Sequence, residues 1–358
     1  MRFLFKTDYD QDLRLLQHGI RKFWYAVLLA LLLAAPWMLP EYFTSQLTFI
    51  LIYGIVGLGL MLLSGYTGLI SLGHAAFLAV GAYTEAVLAA HGWPFPLSLA
   101  MAALLSAAVG IIVGLPALRV KGIYLSIATM AFGFIVEEVM ARWESVTGGN
   151  SGLQVGVVSL FGFKLDSEES FYYLCLALAV AITLVMLNLL RSPTGRAFVA
   201  IRDSEISAQS MGINLARYKT TSFALSAAIT GIAGALYAHK LRIIAPDQFT
   251  VLQSIELVLM VVVGGLGSIH GAFFGAAFLI ALPQVIVLAK DYLPDAIGQA
   301  TGLQPTVFGL ILIGFVLFEP LGIYGRWLKI RTYLGMFPFY RRGMFKRQKA
   351  FMKSERLK

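Results

Sequence analysis

Cysteine is almost missing from this sequence. Cys175 stands alone inside an apolar run, which excludes an internal disulfide and a paired redox centre and leaves a buried, inert thiol as the expectation. Charge is scarce as well. Only 13% of the 358 residues are Asp, Glu, Lys or Arg, against roughly 25% for a water-soluble domain. The five histidines include no pair at metal-ligand spacing. No nucleophile–base constellation can be assembled from the sequence. The string Gly264-Gly-Leu-Gly lacks the Gly-Lys-Ser/Thr ending of a phosphate loop. These gaps argue against an enzyme and against a resident cofactor or metal, so any ATP the protein depends on is hydrolysed by another polypeptide. A cleavable signal peptide is not expected, because the first 22 residues are mixed and polar and no small-residue cleavage site follows the first apolar run.

Apolar residues fill the space that charge leaves. They make up 58% of the chain, and the mean hydropathy is +0.78. Repeated runs of near-span length predict an all-α polytopic membrane protein of about ten helices, near residues 23–39, 47–63, 72–90, 97–118, 122–140, 171–190, 220–238, 254–263, 272–289 and 307–321. The runs at 23–39, 47–63 and 254–263 are the weakest, and a re-entrant segment could replace one of them. Ten spans put both termini in the cytoplasm. The segments then placed inside hold 23 of the 28 Lys/Arg, in keeping with the bias of basic residues toward that side. Residues 1–22 read as a cytoplasmic lead and 23–324 as the membrane domain. Residues 325–358 read as a basic tail, with Arg341-Arg342 and Lys346-Arg347, suited to an anionic inner leaflet. The net charge of +9 sits beside the spans, which argues against nucleic acid as a partner.

The longest polar stretch in the middle of the chain is Arg191–Lys219, with five Lys/Arg. It reads as short capped helices. Ser192-Pro193 supplies a cap and a first-position proline, Asp203 or Ser204 a second cap, and Gly212 a stop after Glu205–Met211. Such a helix between two spans is a surface that another protein can grip, with Ala208 small enough for close approach. An ordinary basic loop is the plainer alternative.

Two glycine-rich stretches, 65–81 and 264–276, align when Gly68 is set against Gly265. Leu69, Ser71, Ala75, Phe77 and Ala79 then match Leu266, Ser268, Ala272, Phe274 and Ala276. This is the pattern of a weak internal repeat, parallel if both copies enter from the cytoplasm. Broken helices within a membrane are tolerated where they are buried in protein or line a cavity. That makes Gly65, Gly68, Ser71, Gly73, Gly264, Gly265, Gly267 and Ser268 candidates for a translocation path or gate, with tight helix packing as the alternative. His74 and His270 lie in the same stretches, where hydrogen-bonded packing outweighs a metal or proton role. Glu85 is the acid placed deepest in a span, and a stand-alone ion-coupled carrier would use such a group.

At Ser64–Phe77, Lys121–Met130, Thr147–Leu153 and Arg196–Ile213 the chain resembles the permease subunits of branched-chain amino-acid ABC importers, the LivM type. The resemblance runs from the second span to the tenth. It implies a bacterial inner-membrane permease that carries branched-chain or other hydrophobic amino acids. It also implies two cytoplasmic ATP-binding subunits, a second homologous permease and an extracytoplasmic solute-binding protein as partners. Urea and short-chain amide importers have similar permeases, so the solute stays open. The fourth string is similar to the family's ATPase-contacting loop, which carries over to Arg202, Asp203, Glu205, Ala208 and Gly212. Importers in general show Glu-Ala-Ala, three residues, then Gly. Here Ile206-Ser207-Ala208 precedes Gly212, with the acid one place early at Glu205.

Overall fold

A computed structural model describes residues 19–118, 120, 122–160, 163–290, 303–318 and 321–336. Residues 1–18, the cations Arg119 and Lys121, and the basic pairs Arg341-Arg342 and Lys346-Arg347 lie outside the described residues.

Each apolar run becomes a helix. In chain order these are α1 (Gly19–Met38), α2 (Glu41–Leu60), α3 (His74–Ala90), α4 (Phe95–Gly114), α5 (Ile123–Arg142), the single turn α6 (Glu144–Thr147), α7 (Glu168–Arg191), α8 (Pro193–Asp203), α9 (Glu205–Ser210), α10 (Leu215–Leu241), α11 (Val251–Gly264), α12 (Ile269–Lys290), α13 (Leu303–Phe318) and α14 (Gly322–Met336). The protein is therefore a multi-pass, helical membrane protein. Among the described residues, seven helical segments are long and apolar enough to cross a membrane. α3 is apolar but shorter, and α11 reaches span length only with the 3₁₀ turn Pro246–Phe249 before it.

The core is built on α2, α3 and α10. α10 packs along α4, α3 and α2, while α7 and the α11–α12 hairpin close on the other side of α2. Ile52, Ile55, Leu58, Phe77 and Leu236 are buried at this centre. Within a membrane, apolar side chains gain little by leaving lipid for protein, so close backbone approach carries the association. The sequence supplies it with small residues. A Cβ on Gly81 would collide with the Gly231 carbonyl, and one on Gly110 would stand 2.6 Å from the Ala227 methyl. Replacing either glycine would prise helices apart.

Two elements depart from the sequence reading. α2 does not stop near Leu63. It widens into a π-helical turn, Met61–Tyr66, closed by the Thr67 hydroxyl on the Leu62 carbonyl at 3.0 Å. Such widened turns shed regular hydrogen bonds and occur often at functional sites. The polar, glycine-rich loop 141–170 between two predicted spans carries short regular elements of its own. It holds α6, a 3₁₀ turn at Gly149–Ser151, β1 (Leu153–Gln154), β2 (Ser159–Leu160) and β3 (Phe163–Lys164). β2 and β3 form a hairpin, and β1 pairs antiparallel with β4 (Ile243–Ile244), which follows α10. The Thr147 hydroxyl folds back on the Met140 carbonyl (2.7 Å) and accepts from the Gly149 N–H (3.2 Å). These bonds run from one hydroxyl to nearby backbone groups, which a polar glycine-rich string does not announce.

Candidate functional site

The central polar loop folds largely as its capping residues dictate. The Ser192 hydroxyl accepts from the Gly195 N–H at 3.3 Å, with Pro193 at the first position of α8. Of the two candidates for the second cap, Ser204 takes the place and accepts from the Ser207 N–H at 3.3 Å. Asp203 turns instead to Arg202. α9 ends at Gly212, whose φ of 83° lies in the left-handed region where glycine alone is unstrained. The Ile213 N–H then closes on the Ala208 carbonyl at 3.1 Å, and Asn214 caps α10 by accepting from the Arg217 N–H at 3.0 Å.

One ion pair seats this loop on the bundle. Lys219 Nζ lies 2.7 Å from Glu205 Oε1, and the lysine side chain is only 2% exposed. A cation buried so deeply must keep its partner, so α9 is held against the first turns of α10. The faces of α9 sort differently from the sequence reading. Ala208, expected to face a partner, is 4% exposed and packs inward, because the Lys219–Glu205 pair rolls the helix that way. Ile206 and Met211 point outward instead, 80% and 85% exposed. The sequence did carry a signal for them, since both are large apolar residues in an otherwise polar segment. Beside α9 lies a cleft of about 560 Å³, lined by Leu118, Glu205, Gln209, Gly212, Asn214 and Lys219.

The two glycine-rich stretches meet this loop at Arg202. Its Nη1 donates to the Gly65 carbonyl at 3.0 Å, while Nε and Nη2 both donate to Asp203 Oδ1 at 3.1 Å. Beneath the arginine the turns come within backbone distance of each other. A Cβ on Gly65 would stand 2.7 Å from the Gly267 nitrogen, and that N–H points to Met61 Sδ at 3.0 Å. A Cβ on Gly68 would lie 3.0 Å from Arg202 Cγ, and one on Gly267 would lie 3.5 Å from Arg202 Nη1. The aligned residues also have like geometry. Gly68 and Gly265 both have positive φ, 76° and 116°. Ser71 and Ser268 both accept a backbone N–H at the start of the next helix, from Gly73 (3.3 Å) and Gly271 (2.9 Å). Both helices, α3 and α12, thus leave from the end of the bundle that bears Arg202.

The remaining candidates scatter. Gly264 packs against the Gly271 backbone inside the α11–α12 hairpin, and Gly73 against the Thr129 carbonyl of α5. Gly265 lies under the start of α14, since a Cβ there would meet the Leu321 carbonyl at 2.7 Å. His74 is fully buried between the hydroxyls of Ser71 (3.0 Å) and Ser226 (2.8 Å), and Ser226 donates onward to the Gly59 carbonyl at 2.7 Å. His270 lies between two tyrosine rings, bonded to the Tyr25 hydroxyl at 2.8 Å and stacked on Tyr324 with ring centres 5.7 Å apart. Among the described residues no three metal-ligating side chains gather.

Glu85 belongs to another cluster. It lies eleven residues beyond His74, roughly 16 Å along α3 at the helical rise. Its carboxylate meets His239 Nε2 at 2.9 Å and accepts from the Ser98 hydroxyl at 2.8 Å, all buried. His239 Nδ1 reaches the Gly156 carbonyl at 3.0 Å, and Lys240 pairs with Glu168. His239, Lys219 and Met61 are the contributors that sequence reasoning missed. No motif marks them, because each acts through a neighbour distant in sequence.

A bundle of apolar helices, two of them entered through paired glycine turns that meet under one polar loop, points to a class: a membrane permease. A family model described as "Branched-chain amino acid transport system / permease component" matches residues 42–318, and the chain belongs to that family. It is 36% identical over 297 residues to the high-affinity branched-chain amino acid transport system permease protein LivM of Salmonella typhimurium, covering 76% of this chain and 70% of that protein. The match to LivM of Escherichia coli K12 has the same identity and coverage. The autoinducer 2 import system permease protein LsrC of Salmonella paratyphi B is 26% identical over 211 residues, 56% of each chain. No solved structure matches.

Proposed function

We propose that this chain is the membrane-embedded permease of an ATP-driven, binding-protein-dependent importer for branched-chain or other hydrophobic amino acids in a bacterial inner membrane. Ten spans place both termini and the loop Arg191–Lys219 in the cytoplasm. Two ATP-binding subunits engage that loop, a second homologous permease completes the path, and a solute-binding protein delivers the amino acid from outside. One observation carries the reading. A capped helix with outward Ile206 and Met211 is joined, through Arg202, to both glycine turns that open α3 and α12. Closure of the ATPase pair would move α9, which begins three residues after the Arg202 that touches the broken segments. The names of the LivM relatives support the solute class. The stand-alone carrier fits less well, because Glu85 is held by Ser98 and His239 inside the protein.

The test is reconstitution of the chain with the ATP-binding subunits, second permease and solute-binding protein encoded beside it. Radiolabelled leucine, isoleucine or valine should accumulate only with ATP inside and binding protein outside. Accumulation of urea or a short-chain amide in their place would change the solute. Uptake driven by a proton gradient in the absence of the ATPases would overturn the importer reading.

A further inference from the structure

We infer that Arg202 is the positioning residue that locks the two glycine turns to each other and to the coupling loop, so that both broken segments move as one unit. The argument begins with the guanidinium, which offers several N–H groups in a rigid fork. On one side the fork takes Asp203, its sequence neighbour, through two N–H groups. On the other, Nη1 takes the Gly65 carbonyl. That carbonyl belongs to the widened end of α2, where the regular helical ladder lapses and an acceptor is left to be satisfied from outside the helix. The stem of the arginine covers Gly68, and its tip covers Gly267. One side chain therefore spans the loop, the first turn and the second turn.

The rest of the site is shaped to admit it. A Cβ on Gly65 would part the two turns and one on Gly68 would press on Arg202, while Gly267 has a φ of 80° that favours glycine. Met61 Sδ receives the Gly267 N–H from beneath, so the second turn is fastened to α2 as well as to the arginine. Arg202 also lies in the last turn of α8, where a cation is favoured by the helix C-terminus. The consequence is mechanical. A shift of α8–α9 draws on both turns through one residue, and the repeats cannot open independently while that residue is in place.

This inference rests on the importer reading, and its test separates the two. In the reconstituted complex, leucine uptake and ATP hydrolysis are measured together for wild type, Arg202→Ala and Arg202→Lys. The quantity read is solute moved per ATP. A misfolded fraction lowers uptake and hydrolysis alike and leaves that ratio unchanged, so a merely structural role does not move it. Arg202→Ala should lower the ratio by about tenfold, the size of a typical coupling between sites. Arg202→Lys keeps the charge but not the fork, and should restore part of the loss. A ratio in Arg202→Ala within twofold of wild type overturns the inference, as does a full loss in the lysine variant with no partial rescue. If Arg202→Ala does not accumulate in the membrane, Gly68→Ala serves with the same criterion, because its methyl would press on Arg202 Cγ. A wild-type complex that moves no solute with ATP sinks the importer reading instead, whatever the variants do.

Discussion

The two ends of α3 and α10 are held in opposite ways. At one end, Glu85, His239 and Ser98 form a buried polar knot that also fastens the Gly156 carbonyl, with the β1–β4 pair and the Lys240–Glu168 ion pair alongside. At the other, the buried Lys219–Glu205 pair and the His74–Ser226 bond hold α10 and α3, but the contacts between the two turns are glycine backbones, one methionine sulfur and one partly exposed arginine. Buried hydrogen-bonded side chains cost much to part, because each polar partner would be left unsatisfied in a low-dielectric interior. Backbone contacts across glycines and a solvated arginine can be remade at modest cost. The comparison separates two kinds of contact: the knot at one end anchors the helices through buried polar side chains, and the two glycine turns, next to α9, meet through contacts that can be remade.

The sharpest way to break the comparison is to untie the knot. Glu85→Ala leaves His239 and Ser98 without their buried acceptor, and should lower stability by about 3 kcal/mol, at about 1–3 kcal/mol for each group left unsatisfied. Thermal unfolding in detergent measures the loss. Uptake per folded permease should survive, since the knot is an anchor. Loss of uptake at undiminished stability would mean that Glu85 lies on the transport path and that the two ends are not different in kind.

Next comes the other buried pair. Lys219→Met removes the partner of Glu205, which keeps some access to water, so the cost is smaller, about 2 kcal/mol. α9 should loosen, and proteolysis within residues 203–214 should quicken while the membrane helices stay intact. An unchanged digestion pattern would show that the pair does not seat the loop.

Gly212→Val has open space for its side chain, so only the positive φ resists it, by roughly 1–2 kcal/mol. The permease should still insert, but it should recover fewer ATPase subunits on co-purification. Ala208→Glu, attractive on the sequence alone, is a poor companion, because Ala208 is buried and the change would disturb the loop itself. Ile206→Asp replaces it. The exposed side chain should alter stability by less than about 0.5 kcal/mol and still weaken ATPase association. Wild-type association in both variants would return the segment to the status of an ordinary basic loop.

The smallest perturbation tests which compartment each end faces. Single cysteines at Ser151 and Ser207, both exposed, are placed in a Cys175→Ala background. An impermeant thiol reagent, applied to cells with a permeabilised outer membrane, should label position 151 and spare 207. Reversed labelling would invert the ten-span topology.

Much of this protein is written locally. Apolar run length determined the helices, because a segment in lipid must satisfy its own backbone. Ser192, Ser204 and Gly212 determined the helix boundaries of the central polar segment, because caps and left-handed stops act within a few residues. The repeat was likewise legible as spacing, and its positive-φ glycines and serine caps follow from residue type. Tertiary structure decided the rest. Whether Ala208 or Ile206 faces outward depends on the direction in which Lys219 pulls Glu205. Whether Glu85 lines a path or closes a knot depends on His239, 154 residues away. That one arginine should lie across both glycine turns depends on three chain segments converging, and contacts set by helix packing leave no periodic mark on any one of them.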